Sequence, residues 1–217
     1  MTPAPPGSTV APLAAAVRRI QAPGVLDRPA QVLGRVADVV VAGRARSVLL
    51  GEPLGHALHP VLTDFPLGSW TSTSLLDLFG GRRARPAATG LLAFGIVAAV
   101  PTALAGLAEW QQATGPARRV GVVHAGVNTT ALVLYSSSLV TRLRGRHTRA
   151  VALGLAGGIV ATLGGYLGGH LSLVLKVGTA DPALADSSAG LQPLEAITPV
   201  QTRSPGGARG LSARRRR

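Results

Sequence analysis

Two long uncharged stretches limit what this chain can fold into. Neither residues 86–108 nor residues 150–175 contain a single Asp, Glu, Lys or Arg. A helix of about 20 apolar residues is long enough to cross the hydrocarbon core of a bilayer. The pattern therefore excludes an ordinary soluble globule and predicts membrane-spanning helices.

The composition agrees with this interpretation. Only 14% of the 217 residues are charged, whereas a soluble domain usually has about a quarter. The 47% apolar content excludes a disordered chain. Because the chain has no cysteine, disulfides, thiolate metal sites and iron–sulfur ligation within it are excluded. No compact apolar run near the N-terminus resembles a signal peptide, so the first spanning helix is expected to direct insertion.

Changes in composition divide the chain into three predicted segments. Residues 1–54 form an amphipathic, basic lead segment in which 12–20 and 29–41 are predicted as short helices on the membrane surface. Residues 55–176 form the membrane domain. Residues 177–217 are rich in Pro, Ser and Gly and end in four arginines, which is typical of a disordered tail.

The membrane domain is predicted to be an all-α, four-helix transmembrane bundle. Four apolar segments cover residues 60–80, 86–110, 120–140 and 150–174. The connections at 81–85 and 141–149 are short and basic, and short connections make antiparallel neighbours. The sequence shows no strong internal repeat and no strand pattern.

Polar residues of the four predicted spans share one level. Counted from the two short loops, His59, Glu109, His124 and His170 each lie roughly 30–40 Å away at 1.5 Å per residue. They are therefore expected at one membrane face, with His56 beside them. Ionisable residues within spans are costly and are candidate functional residues. His147 falls at the opposite end.

This convergence favours a cofactor site. Imidazole is the usual axial ligand of haem and the commonest metal ligand. The leading hypothesis is haem b with His124 and His170 as axial ligands, because both belong to one helical hairpin. His59 and His56 are alternative ligands, and all four histidines could instead hold a divalent metal ion. Asp64, Glu109 and Asn128 are expected to orient the ligands or carry protons. Asp77 is expected to pair with arginines of the first loop.

Other functions stay open. A small transporter or proton-conducting protein would use Asp64 and the histidines and would need no cofactor. A structural scaffold would use its polar residues only to join helices. No set of nucleophile and base indicates an enzyme, and the arginine-rich tail lacks a folded basic face for nucleic acid. Glycine pairs at 164–169 permit close helix packing or a homodimer.

Several motifs resemble one family of bacterial membrane proteins, known as domain of unknown function 2231. The resemblance covers about residues 46–178, and its motifs are Leu54–Trp70, Val100–Trp110, Val120–His124 and Gly164–His170. It implies four spans in the bacterial inner membrane, with recurrent histidines at His56, His59, His124 and His170. Some members are followed by a Rieske-type iron–sulfur domain, which this chain lacks. A redox role would therefore need a separate partner, such as an iron–sulfur protein.

Overall fold

The computed structural model describes residues 12–178, and all regular structure within that range is helical. The predicted disordered tail lies almost wholly outside the described residues, which end at Gly178. Seven α-helices occur in the described range: α1 (Pro12–Gln21), α2 (Asp27–Val40), α3 (Arg44–Leu50), α4 (Leu58–Phe79), α5 (Gly81–Gln111), α6 (Gly115–Leu143) and α7 (His147–Gly169). A 3₁₀ turn covers Glu52–Leu54, and a π-turn, His170–Val174, extends α7.

The lead segment folds as short helices over one end of the molecule. α1 and α2 coincide with the two predicted surface helices to within two residues. α2 buries its small residues, Ala30, Gly34 and Ala37, against the ends of α5 and α6, and leaves Val32 and Val36 exposed. Gly51 ends α3 with a positive φ of 77°, and a side chain there would collide with the carbonyl of His56, so this turn requires glycine.

The four long helices pack as two antiparallel hairpins. α4 packs along α5, and α6 packs along α7. The hairpins then join through α5 against α6 and through α4 against α7, which closes a four-helix bundle. The predicted spans 60–80 and 150–174 match α4 and the continuous helix 147–174 to within three residues, and the predicted spans 86–110 and 120–140 lie inside α5 and α6.

Two helices in the described range are long and apolar enough to cross a membrane. They are α5 and the continuous helix from His147 to Val174. α4 and α6 carry more polar side chains than these two and do not reach the same hydropathy. The all-helical fold is therefore as predicted, with two candidate spans by length and composition.

The two hairpins repeat the same contacts, although the sequence shows no strong internal repeat. In the first hairpin Thr73 donates a hydrogen bond to the carbonyl of Ala88 at 3.3 Å, and in the second Ser138 donates to the carbonyl of Ala150 at 2.6 Å. A residue of α4 and its equivalent in α6 are 65 positions apart in the sequence. A residue of α5 and its equivalent in α7 are 62 positions apart. The buried residues of the second helices follow this offset: Ala88, Leu92, Gly95, Thr102 and Ala105 in α5 correspond to Ala150, Gly154, Gly157, Gly164 and Leu167 in α7.

Sequence comparison alone misses the repeat because few of the equivalent residues are identical. Thr73 corresponds to Ser138, and Trp70 corresponds to Tyr135, so what is kept is a hydroxyl or a flat ring at each place. Both hairpins begin at the same end of the bundle. They are therefore related by an approximate twofold axis parallel to the helices, an arrangement known for parallel repeats in membrane proteins.

Candidate functional site

His59 is held between the two helices of the first hairpin. It is the second residue of α4, and its Nδ1 lies 2.8 Å from the carbonyl oxygen of Thr102 on α5. A carbonyl only accepts hydrogen bonds, so Nδ1 carries the hydrogen and Nε2 has the free lone pair. A Cβ at Gly106 would come within 2.8 Å of the imidazole, so that glycine leaves the space the ring fills.

His124 repeats this arrangement in the second hairpin. Its Nδ1 donates to the carbonyl oxygen of Gly164 at 3.0 Å, and a Cβ at Gly168 would lie 3.0 Å from the ring. One difference separates the two histidines. The amide of Asn128 donates to Nε2 of His124 at 3.0 Å, whereas Nε2 of His59 has no hydrogen bond to any described residue.

The two histidines are equivalent under the repeat and lie near the approximate twofold axis. His59 and His124 are 65 positions apart, like Asp77 and Arg142. Further along the axis, Trp70 stacks on Tyr135 with ring centroids 4.2 Å apart. Equivalent residues contact each other where a twofold axis passes through an interface.

The far end of the axis carries a buried ion pair. Arg142 donates two hydrogen bonds to the carboxylate of Asp77, and each side chain is only 3% exposed. Asp77 therefore pairs across the axis with α6, and the expectation of a partner in the first loop is wrong. Nε of Arg142 is buried without a hydrogen bond in the described structure.

Glu109 joins the end of α5 to the start of α4. Its carboxylate oxygen Oε1 accepts a hydrogen bond from the backbone N–H of His59 at 3.3 Å. Glu109 is 8% exposed, and it lines one side of a cavity of about 600 Å³ that opens at this end of the bundle. The same cavity is lined by Glu52, His56 and Lys176. Glu109 and His59 are thus brought together at the level that counting along the helices predicts.

His170 and His56 have other surroundings. Nε2 of His170 accepts a hydrogen bond from the side-chain amide of Gln21 on α1 at 2.8 Å. His170 follows the last residue of α7 with helical backbone angles and begins the π-turn. His56 is exposed, and its Nδ1 lies 3.1 Å from the carbonyl oxygen of Ala57.

The candidate ligands do not form one metal cluster. Among residues 12–178, no group of three or more His, Asp or Glu side chains is arranged to hold a metal ion. Asp64 is exposed on the outer face of α4 and makes no hydrogen bond to described residues, His59 included. Of the residues expected to orient ligands, Glu109 contacts the backbone of His59 and Asn128 contacts the ring of His124.

Sequence reasoning missed the groups that orient the two rings. The carbonyls of Thr102 and Gly164 carry no side-chain signal, but glycines four residues later, at Gly106 and Gly168, mark the same places. His59 and His124 are 65 positions apart and Gly106 and Gly168 are 62 apart, so a search that allows a separate offset for each helix would have found them. The aromatic stack of Trp70 and Tyr135 obeys the same offset.

No curated protein and no solved structure matches the chain. A family model described as a predicted membrane protein (DUF2231) matches residues 55–181, which include all four long helices together with His59 and His124. More than half of the chain is matched, and the chain therefore belongs to this family of predicted membrane proteins.

Proposed function

We propose that α4, α5, α6 and α7 all cross the membrane. α5 and α7 are long and apolar enough to do so, and α4 and α6 pack antiparallel along them. A bilayer that contains α5 and α7 then also contains their hairpin partners. The 22 residues of α4 extend about 33 Å, close to the roughly 30 Å hydrocarbon thickness. Internal contacts cover part of the polar side chains of α4 and α6, as the Asp77–Arg142 pair illustrates.

Within this bundle, we propose a haem b site for electron transfer, with His59 and His124 as the axial ligands. The observation that carries the proposal is the matched orientation of the two imidazoles. Each donates its Nδ1–H to a backbone carbonyl of its own hairpin, and this leaves Nε2 as the ligand atom. Ligating histidines are commonly oriented by such a bond from their other ring nitrogen.

The surroundings of the two rings are compatible with this group. Gly106 and Gly168 leave the space that the two imidazoles fill, which seats each ring with its Nδ1–H on a backbone carbonyl. Two neutral imidazoles from facing helices are a usual donor set for haem in helical bundles. Binding at His124 would require Asn128 to release Nε2 of the imidazole.

His59 fits the role of partner to His124 better than His170 does. Its place on α4 is equivalent to that of His124 on α6, and it faces the same axis. Nε2 of His170 is already engaged by Gln21 of the lead segment. We therefore assign His170 to fastening α1 onto the bundle and prefer His59 as the second ligand.

The proposed electron transfer would depend on the cofactor, on the two histidines and on Glu109. Haem b supplies a reversible one-electron couple, and the two histidines hold it and set its potential through their Nδ1–H bonds. The chain has no cysteine, so the described helices hold no iron–sulfur cluster of their own, and an iron–sulfur protein is the electron partner that we propose. Glu109, beside His59 and lining the open cavity, is placed to exchange a proton with water.

The test is a reduced-minus-oxidised absorption spectrum of the protein purified in detergent from haem-supplied cells. A Soret band is expected in the native protein and should be lost in His59→Ala and in His124→Ala. His147→Ala, at the opposite end, is the matched control and should keep the band. Gel filtration and circular dichroism would show that each variant is folded.

Two results would contradict the assignment. A native protein without haem, measured together with its metal content, would remove the cofactor altogether. Haem that survives in His59→Ala but is lost in His170→Ala would restore the pair within the second hairpin.

A second function is favoured by the open cavity. A carboxylate at the inner wall of a water-accessible cavity, next to a histidine inside the bundle, is an element of proton-conducting proteins. Because Asp64 faces outward, Glu109 is the carboxylate to test. Proton flux in reconstituted vesicles should be lost in Glu109→Gln and kept in Glu52→Gln, a control from the outer wall. A flux equal to that of empty vesicles would dismiss this function.

A further inference from the structure

A groove on the outer surface lies between α2 and α6. It has a volume of about 600 Å³ and is lined mainly by apolar residues: Pro29, Val32, Leu33 and Val36 from α2, and Val122, Ala125 and Gly126 from α6. Val32 and Val36 are 59% and 48% exposed, so no other part of the described chain covers them. The volume is within the usual range for sites that take an extended small molecule.

One end of the groove is cationic. Arg28, in the first turn of α2, lines that end, is exposed and makes no ion pair with a described residue. The neighbouring carboxylate of Asp27 is already engaged, because it accepts hydrogen bonds from Arg119 at 2.6 Å and from the backbone N–H of Gly24 at 3.0 Å. The charge at this end is therefore positive.

The position of α2 places this groove at the membrane surface. α2 lies across the ends of α5 and α6, with Gln111 donating to Asp38 and Arg119 donating to Asp27. From there the groove follows α6 toward Thr129, about two turns below Val122. The cationic end therefore lies at the level of the headgroups and the apolar part lies deeper, which is the arrangement of a phospholipid.

We propose that this groove binds one anionic phospholipid, with an acyl chain between α2 and α6 and the phosphate on Arg28. The proposal rests on the membrane embedding inferred above but not on haem, so a spectrum without haem leaves it standing. A cationic side chain near the surface contributes roughly a fivefold preference for an anionic lipid. The bound chain would fill the space beneath the amphipathic helix and hold α2 on the bundle.

The chain offers a direct probe of occupancy. Trp110 packs in the same cluster as Leu33 and Val122, next to the groove. In a Trp70→Phe background it is the remaining tryptophan. We would measure quenching of its fluorescence by phosphatidylglycerol brominated on the acyl chains, and separately by brominated phosphatidylcholine, in otherwise identical vesicles.

Brominated phosphatidylglycerol should reach a given quenching of Trp110 fluorescence at about one fifth of the mole fraction that brominated phosphatidylcholine requires. Arg28→Gln should abolish this difference, while Arg35→Gln, an exposed cation of α2 outside the groove, should keep it. Gly126→Leu should weaken quenching by both lipids. A Cβ at Gly126 has no neighbour within 4 Å, so this leucine can fill the groove without displacing the protein.

Two outcomes would overturn the proposal. Equal quenching by both lipids in the native chain, or an unchanged preference in Arg28→Gln, would show that no anionic lipid is selected. Quenching by neither lipid, together with a change of oligomeric state in Gly126→Leu, would show that a second copy of the chain occupies the groove.

Discussion

The buried pair of Asp77 and Arg142 gives the sharpest test of the repeat. Both side chains are 3% exposed, and they occupy equivalent positions on α4 and α6. Removing one partner of a buried pair leaves an uncompensated charge, at a cost of about 3–5 kcal/mol in the free energy of unfolding. At 1.4 kcal/mol per tenfold change, Asp77→Asn or Arg142→Gln should lower the folding equilibrium constant by roughly two to three and a half orders of magnitude.

Exchanging the two residues should restore most of this loss. If an approximate twofold axis passes between them, Asp77→Arg combined with Arg142→Asp places each side chain where its equivalent stood. The pair is then rebuilt with its direction reversed, and the free energy of unfolding should return to within about 2 kcal/mol of the native value, the remainder reflecting imperfect symmetry. Each single exchange places two like charges together and should be at least as damaging as the neutral variants.

The assay is unfolding by SDS in mixed micelles, followed by tryptophan fluorescence. Trp70 reports directly because it stacks on Tyr135 two turns from the ion pair. Arg144→Gln, an exposed cation at the same end of the bundle, is the control and should change stability by less than about 0.5 kcal/mol. A double exchange no more stable than its single variants would refute the twofold relation between the hairpins.

Three further predictions concern the site and the lead segment. Gly106→Ala and Gly168→Ala should displace His59 and His124 and reduce haem content, whereas Gly165→Ala, with no neighbour within 4 Å of its Cβ, should leave haem content unchanged in the same spectra. The hydrogen bond from Arg119 lowers the pKa of Asp27 below its ordinary value of 3.8. Above pH 3.8 the contact therefore contributes its full stabilisation of the fold, and this stabilisation is lost as the pH falls through the lowered pKa. The protection factors of the α2 amides, which are corrected for the intrinsic pH dependence of exchange, should fall on that acidification in the native chain, and less so in Asp27→Asn. Asp64→Asn should change stability by less than about 0.5 kcal/mol and keep the haem spectrum, because Asp64 is exposed; a loss of proton flux in that variant would instead favour transport.

The sequence was sufficient to predict the helices and their order. Uncharged stretches force helical structure because a bilayer leaves no other partner for the backbone, and the short basic connections force hairpins. Counting residues from those connections also predicted the shared level of His59 and Glu109, whose contact the structure contains. These inferences need only length and charge, which a sequence states directly.

The partners of each histidine could not be predicted in the same way. They depend on the rotation of each helix about its axis and on backbone carbonyls, such as that of Gly164, which no side chain marks. The π-turn that begins at His170 adds a residue to the helical turn. Counting along the chain predicted only the level of His170 and not the helix face it occupies, and the structure joins it to Gln21.

The differences between the two hairpins are concentrated at the histidine end. Along the rest of the axis each hairpin keeps a hydroxyl, a flat ring and a glycine at matching places, which indicates that packing requires them in both copies. At the histidine level the copies diverge: Thr63 donates to the backbone of His59, whereas its equivalent, Asn128, donates to the ring of His124. Glu109 corresponds to Leu171, so only the first hairpin has a carboxylate there. Two equivalent histidines with unequal surroundings would give the two faces of a bound group different polarity. His59, beside Glu109 and the open cavity, would then be the side on which a proton is exchanged.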